Sequence, residues 1–218
     1  MNSCILITSH LNNPDKVLVA HKLVTYLQDK GFPVIFVGNF PTPIEIQQKV
    51  DYTFNIKENP QTKSGRVMVI GGKIFPEWGY AHMHQLTHGF YLCKALGYEY
   101  VNYCNYDVAL TKEILANWRR GEEEKEFLYY DAPNKENHRR IHSHSFSLLT
   151  QDFLDTIPPL LSYYYNENPP GIREGWFCED WIWWAFSQNP KFGQLTNPQQ
   201  NISENLNPGT LIWNEDFM

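Results

Sequence analysis

The chain has 218 residues and a formal net charge of −6, with a sequence pI near 5.7. Its length suits one sizeable hydrophobic core, and no stretch rich in Gly, Ser and Pro divides it, so we expect a single domain over residues 1–218. The net negative charge and the absence of long Lys or Arg runs mean that no basic surface is expected to attract a polyanion. We therefore expect no nucleic-acid partner.

Short apolar runs alternate with helical patterns in the first half of the chain. Ser3–Thr8 and Pro33–Val37 predict buried strands on either side of a helix that Asn13 caps and Gly31 ends, which makes a Rossmann-like βαβ unit. A short helix over 43–50, a strand over 52–56, a loop over 61–80, a helix over 81–96 and a strand over 98–104 follow. These elements predict an α/β domain with a central, mostly parallel sheet flanked by helices.

In the second half of the chain, helices and strands do not alternate as regularly as in the first half. The pattern predicts a helix over 111–119, strands over 127–130 and 144–149, a helix over 151–161 that Pro158 and Pro159 interrupt, and a helix beginning near Glu179 and Asp180. We see no internal repeat, so one fold accounts for the whole pattern.

The amino terminus lacks a basic segment followed by a long apolar run, and we expect neither a signal peptide nor a membrane span. Four widely spaced cysteines without a C-x-x-C pair are expected to be reduced core residues: Cys4, Cys93, Cys104 and Cys178. Both features predict a cytoplasmic protein, in the host cytoplasm if the source is viral.

Polar residues follow the predicted parallel strands at their carboxyl ends. The clearest group is Asn105-Tyr106-Asp107, directly after the strand over 98–104. Ligands of open α/β sheets bind beyond these strand ends, where a carboxylate can hold a hard cation that bridges diphosphate oxygens. The triplet predicts a metal and phosphate site, although N-x-D is also an ordinary turn sequence.

Glu179 and Asp180 form a second acidic group among four tryptophans. Carboxylates at a helix amino terminus are stabilised by the helix dipole, which is one explanation of the pair. The other is a catalytic base that deprotonates a sugar hydroxyl beside an aromatic wall. Of the tryptophans, Trp176 is the one we expect at such a site, and most of the others should lie in the core.

Two groups of histidines are weaker evidence for a functional site than the acidic groups. His84 and His88 lie four residues apart on a predicted helix, a possible metal pair without the Glu of H-E-x-x-H, and a structural or surface role is the simpler interpretation. His142 and His144 alternate on a predicted strand and could supply a ligand or a proton acceptor.

The order of motifs resembles that of nucleotide-sugar-dependent glycosyltransferases of the GT-A fold: a start reading Ile-Leu-Ile-Thr-Ser-His over Ile5–His10, an acidic strand-end triplet at mid-chain, and a late Glu-Asp before a helix. The compact length resembles small viral and bacterial polysaccharide-type members. The resemblance implies a single GT-A-like domain in which residues 1–107 bind the nucleotide-sugar and residues 108–218 bind the acceptor.

The resemblance also implies roles for individual residues. Asp107 would ligate Mn²⁺ or Mg²⁺, and Asn105, which stands where the family's D-x-D motif has its first Asp, would assist at the donor. Asp180 would be the catalytic base, with Glu179 as second choice, and Trp176 would contact the acceptor. The nucleoside pocket would be lined by Thr8, Ser9, His10, Lys57 and Glu58.

These roles describe a metal-dependent transferase of hexosyl type, which moves a sugar from a nucleoside diphosphate-sugar donor to a hydroxyl of a glycan or other acceptor. A sugar-phosphate nucleotidyltransferase is the nearest alternative, but it would need a Gly-rich, Arg-bearing loop where this chain has Ser9–Asn13 without Gly. A non-catalytic carbohydrate-binding module would use the tryptophans alone. A metal hydrolase would use His84, His88 and His142.

Overall fold

The structure, a computed structural model, describes residues 2–38, 41–57, 67–70, 73–76, 78–108, 110, 112–131, 141–166 and 178–192. The first half contains β1 (Ser3–Ser9), α1 (Pro14–Asp29), β2 (Val34–Gly38), α2 (Ile44–Gln47), β3 (Tyr52–Asn55), β4 (Val67–Ile70), β5 (Lys73–Pro76), α3 (Trp78–Ala95) and β6 (Tyr100–Asn105). The second half contains α4 (Lys112–Glu124), β7 (Leu128–Asp131), β8 (Ile141–Leu149), α5 (Thr150–Asn166) and α6 (Cys178–Gln188).

Six strands form one sheet in the order β3-β2-β1-β6-β8-β7. The first four of these run parallel to one another, whereas β8 is antiparallel to β6 and β7 is antiparallel to β8. This arrangement confirms the expected α/β class and the mostly parallel sheet. The strands β4 and β5 form a separate antiparallel pair.

Both faces of the sheet are buried, which explains why its parallel strands are continuous apolar runs. On one face Ile5 and Ile7 of β1 pack in a cluster with Leu23 of α1 and Trp118 of α4. On the opposite face Leu6 packs in a cluster with residues of α3, α5 and α6. The alternation along β1 therefore divides the core into two layers, one on each side of the sheet.

Local sequence determines where the first helix begins and ends. The Asn13 side chain accepts a hydrogen bond from the backbone nitrogen of Lys16 at 3.0 Å, as expected of an amino-terminal cap. Gly31 has a φ of +74°, a left-handed conformation that suits glycine and turns the chain toward β2. Gly97 acts in the same way after α3, with a φ of +81°.

Several predicted boundaries were wrong. The expected loop over 61–80 contains the β4–β5 hairpin and the start of α3, which begins at Trp78 rather than Ala81. The helix expected to end at Arg119 continues to Glu124. Ile114 and Trp118 anchor one side of it in the core, and Glu122 accepts a hydrogen bond from the buried Asn102.

Pro158 and Pro159 lie inside α5 instead of interrupting it. A proline removes one backbone donor and clashes with the preceding turn, which costs about 3 kcal/mol in a helix interior. Phe153 and Ile157 of the same helix are fully buried in the core, and this packing holds the helix through the two prolines.

Two glycines let helices lie close to the sheet. A Cβ atom built on Gly89 of α3 would lie 2.7 Å from Cδ1 of Leu6, and one built on Gly121 of α4 would collide with Leu128 and Tyr100. The contacts at both glycines would be shorter than ordinary van der Waals contacts. The absence of a side chain at these positions therefore sets the spacing of α3 and α4 from the sheet.

The cysteines that the structure describes are free and buried: Cys4, Cys93 and Cys104. The thiol of Cys4 donates to the sulfur of Cys93 at 3.6 Å, across the interface between β1 and α3. This confirms the prediction of reduced core residues for these three, while the side chain of Cys178 lies outside the described part. Among the described helices, none combines the length and apolar character that crossing a membrane requires.

Candidate functional site

Four parallel strands end side by side at one edge of the sheet. In register, Thr8 lies opposite Asn105, Ser9 lies opposite Gly38, and Gly38 lies opposite Asn55. We call the row formed by Ser9, Gly38, Asn55 and Asn105 the carboxyl edge. Ligands of open α/β sheets bind outside this kind of edge, so a ligand site is expected here.

The turn after β6 carries Asp107 at the carboxyl edge. The backbone nitrogen of Tyr106 donates to the carbonyl oxygen of Thr8 at 3.2 Å, and that of Val108 donates to the carbonyl oxygen of Asn105 at 3.3 Å. Val108 is buried in the core beyond the turn. Asp107 is thus held between two fixed points and remains half-buried.

The charge of Asp107 affects its neighbours. Burial, and after it the negative charge of Asp107, raises the pKa of the Tyr106 hydroxyl to about 12. The same two causes raise the pKa of the Cys104 thiol well above its usual range. Both causes therefore favour the neutral forms of these two neighbours.

Side chains from two other elements hold the end of β1. The hydroxyl oxygens of Thr8 and Tyr103 are 2.9 Å apart, and Nε2 of His82 lies 3.4 Å from the same Tyr103 oxygen. The amide of Gln85 donates to the carbonyl oxygen of Ser9 at 2.8 Å. Tyr103, His82 and Gln85 were not identified from the sequence, because they belong to β6 and α3 and meet β1 only in the folded chain.

The predicted nucleoside-pocket residues differ in exposure. Thr8 is fully buried, with its hydroxyl bonded to Tyr103, and Ser9 is almost fully buried. His10 is half-buried and Lys57 is exposed. Glu58 lies outside the described residues. The structure thus brings Thr8, Ser9, His10, Asn105 and Asp107 to one part of the carboxyl edge, and their part in binding stays a prediction.

Lys57 leaves the sheet two positions after β3. The backbone nitrogen of Ile56 donates to the carbonyl oxygen of Gly38 at 2.7 Å, which extends the pairing of β3 with β2 up to Lys57. Next to it, Oδ1 of Asn55 accepts hydrogen bonds from both the backbone nitrogen and the hydroxyl of Thr42. These hydrogen bonds fix the backbone directly before Lys57, which lies at the far end of the carboxyl edge.

The late acidic pair lies in the first turn of α6, where the description covers the backbone only. Behind it Trp181, Ile182 and Phe186 are buried among residues of α5 and β8. Trp181 is therefore a core residue, as predicted. Trp183 and Trp184 are partly buried and pack against the same cluster. Trp176 lies outside the described residues.

His142 and His144 belong to β8, as expected, and that strand extends toward the carboxyl edge. Cys104 pairs with Ser145 in the antiparallel register of β6 and β8. The residues of β8 that precede Ser145 therefore lie at the end of the sheet where Asn105 ends β6. Their side chains lie outside the description.

His84 and His88 contact each other and the edge strand β3. Their ring centroids are 4.2 Å apart, and the ring of His88 stacks on that of Phe54 at 6.0 Å. Nδ1 of His88 also lies 2.9 Å from the carbonyl oxygen of His84. Within the described ranges, no group of three or more His, Cys, Asp or Glu side chains could hold a metal ion.

Comparison with known proteins gives a fold but no close relative. No family model and no curated protein matches the sequence. A glycosyltransferase involved in glycosylation of the major capsid of PBCV-1 superposes with a TM-score of 0.50 at 13% identity, covering 86% of this chain and 78% of that one. An active-site mutant of LgtC superposes with a TM-score of 0.50 at 8% identity, covering 81% of this chain and 68% of that one.

The fold is of the GT-A type. This confirms the resemblance that the strand-end motifs indicated. In this GT-A domain the parallel strands β1, β2, β3 and β6 supply the carboxyl edge, and the antiparallel strands β7 and β8 extend the sheet beyond β6. At identities this low the similarity concerns the fold and not the chemistry.

Proposed function

We propose that this protein is a glycosyltransferase that uses a nucleoside diphosphate-sugar as donor and a hydroxyl of a glycan or other molecule as acceptor. The observation that carries the proposal is the position of Asp107. Its carboxylate lies on a turn that is fixed to β1 and anchored in the core, at the edge of a GT-A sheet where ligands bind.

The donor set at the end of β6 fits a divalent cation. Asp107 offers carboxylate oxygens and Asn105 an amide oxygen, and hard oxygen ligands of these types suit Mg²⁺ and Mn²⁺. Mg²⁺ is usually held by only one or two carboxylates together with substrate phosphates, so the carboxylate of Asp107 would be sufficient as the protein's acidic ligand. The cation would neutralise the charge that develops on the leaving diphosphate.

The remaining residues of the carboxyl edge would bind the nucleoside diphosphate. Ser9 and His10 end β1 next to Asn105, with Thr8 fixing the strand beneath them. Lys57, at the exposed end beyond β3, brings a positive charge that suits a phosphate or a ribose hydroxyl. We place Glu58 in the same pocket from its position in the sequence.

The acceptor would bind against the second half of the chain. Asp180 would take the proton of the acceptor hydroxyl if the enzyme inverts the anomeric configuration, with Glu179 as the second choice. If it retains configuration, Asp180 would orient the acceptor or the donor sugar instead. Trp176, just before the acidic pair in the sequence, would supply an aromatic face for the sugar ring.

A thermal-shift panel of nucleotides and nucleotide-sugars, with and without Mn²⁺, tests the proposal. A ligand that binds only the folded chain stabilises it by mass action and so raises Tm. The stabilisation is roughly 2.7 kcal/mol at a free ligand concentration of a hundred times Kd. We expect a nucleoside diphosphate or its sugar ester to raise Tm more with Mn²⁺ than without.

The Asp107→Asn variant should lose the Mn²⁺-dependent part of that increase. Asp29→Asn is the matched control, because Asp29 is an exposed carboxylate at the end of α1, distant in sequence from the site. If no nucleotide in the panel shifts Tm, or if glycans alone shift it without nucleotide or metal, the protein is not a donor-dependent transferase.

A further inference from the structure

Polar side chains line part of the sheet face beneath α4. Asn102 of β6 and both Ser145 and Ser147 of β8 are fully buried. In register, Asn102 lies opposite Ser147, and Cys104 lies opposite Ser145. Since alternate residues of a strand share a face and opposed residues lie roughly 5 Å apart, these three polar side chains form one row.

The helix above this row adds further polar groups. Trp118 and Glu122 lie four residues apart in α4 and so face the same way. The amide nitrogen of Asn102 donates to Oε1 of Glu122 at 2.6 Å, which places this side of α4 over the row. Trp118 is also fully buried. We call Asn102, Trp118, Ser145 and Ser147 the polar seam.

Each residue of the polar seam has a buried polar atom that makes no hydrogen bond to any residue that the structure describes. These atoms are Oδ1 of Asn102, Nε1 of Trp118 and the hydroxyl oxygens of Ser145 and Ser147. A buried polar group that makes no hydrogen bond costs about 1–3 kcal/mol, so isolated cases are rare and a cluster is unexpected. A shared ligand would satisfy several of them together.

We propose that the polar seam is a binding site for ordered internal water. The indole nitrogen of Trp118 can only donate and Oδ1 of Asn102 can only accept, whereas the two hydroxyls can do both. Water matches this mixture, and buried waters usually make two to four hydrogen bonds to groups of this kind. A cation would match less well, because it would leave the indole N–H of Trp118 without a partner.

The sign of a stability change tests the inference. If water fills the seam, Ser147→Ala and Ser145→Ala each remove a partner from a bound water and should lower Tm by about 2–6 °C. If the seam is dry, the same changes remove an unsatisfied hydroxyl and should leave Tm unchanged or raise it. Ser187→Ala is a control for losing an ordinary hydroxyl bond, since that hydroxyl donates to the carbonyl oxygen of Trp184.

A crystal structure of the full chain that resolves ordered solvent gives a second, direct test. The expected result is water density within hydrogen-bond distance of Oδ1 of Asn102 and the hydroxyl of Ser147. An unchanged or raised Tm in both serine variants overturns the inference, as does density showing that the hydroxyls bond to strand carbonyls without water. Neither test depends on the proposed transferase activity.

Discussion

The hydroxyl of Tyr103 lies 2.9 Å from the hydroxyl of Thr8 and connects β6 to β1 just below the carboxyl edge. Both groups are buried, so removing one leaves the other without this partner. We expect Tyr103→Phe to lower the free energy of unfolding by about 1–3 kcal/mol. Chemical denaturation of the single variants and of the Tyr103→Phe/Thr8→Val pair measures this.

The cost of the paired change should be clearly smaller than the sum of the single costs, because neither of the two hydroxyls is then left without the other. Additive costs would show that the two hydroxyls do not interact.

Asp107→Ala should abolish metal-dependent binding of a nucleoside diphosphate and leave the fold nearly intact, since the residue lies beyond its strand and outside the core. Asp107→Asn should have nearly the same effect. Calorimetry of nucleotide binding with Mn²⁺ measures both. Unchanged affinity in both variants would remove Asp107 from the metal site, whereas preserved or improved binding in Asn105→Asp would show that the departure from D-x-D is a tolerated variation.

The titration of Tyr106 reports on the charge of Asp107. With a folded-state pKa of about 12 against an ordinary value of 10.0, neutral Tyr106 contributes stability that is complete below pH 10 and is lost as pH rises toward 12. In Asp107→Asn the Tyr106 pKa should fall, but not fully to 10.0, because burial is the larger cause.

Tyrosinate absorbance during a pH titration, taken as the difference from Tyr106→Phe, isolates this one group. If the Tyr106 pKa does not change in Asp107→Asn, the carboxylate does not face the hydroxyl, and the turn geometry described above is wrong.

Gly89→Ala should destabilise the fold by about 1–3 kcal/mol, because the new Cβ would lie 2.7 Å from Leu6 and force α3 away from the sheet. Gly97→Ala is the control: its site is open but has a positive φ, so only backbone strain of about 1 kcal/mol applies. Thermal unfolding of the two variants compares them. Adding Leu6→Ala should make Gly89→Ala nearly harmless, and full additivity would argue against the contact.

Asp180→Asn removes basicity while keeping size and much of the hydrogen bonding. If Asp180 is the general base, turnover should drop by roughly 10²-fold or more with little change in donor affinity. Glu179→Gln is the matched control, and steady-state kinetics on a verified acceptor is the measurement. Normal turnover in Asp180→Asn, or failure of that variant to fold, would return this residue to a role in capping α6.

The parallel part of the fold was predictable because it depends on local patterns. Apolar runs buried on both faces, Asn13 as a cap and Gly31 as a stop each act within a few residues. The position of Asn105 and Asp107 at the carboxyl edge followed from these patterns, since parallel strands end together.

What the sequence did not predict depends on contacts between distant segments. Tyr103 and Gln85 hold the end of β1 and His82 contacts Tyr103, but each of the three is more than seventy residues from β1 in the chain. Packing of Phe153 and Ile157 overrides the prolines of α5, and this outcome is set by the partners across the core rather than by the helix sequence. Patterns that span one element carry neither kind of information.

The buried cysteines allow opening of the core to be measured in the unmodified sequence. Burial raises the pKa of the Cys4 and Cys104 thiols, and only the thiolate form attacks an alkylating reagent, so these cysteines should react only when the core opens. Cys4 and Cys93 lie in the layer beneath α3, whereas Cys104 lies in the layer beneath α4. Peptide-resolved alkylation rates would therefore show whether the two layers open together or one at a time, without any introduced label.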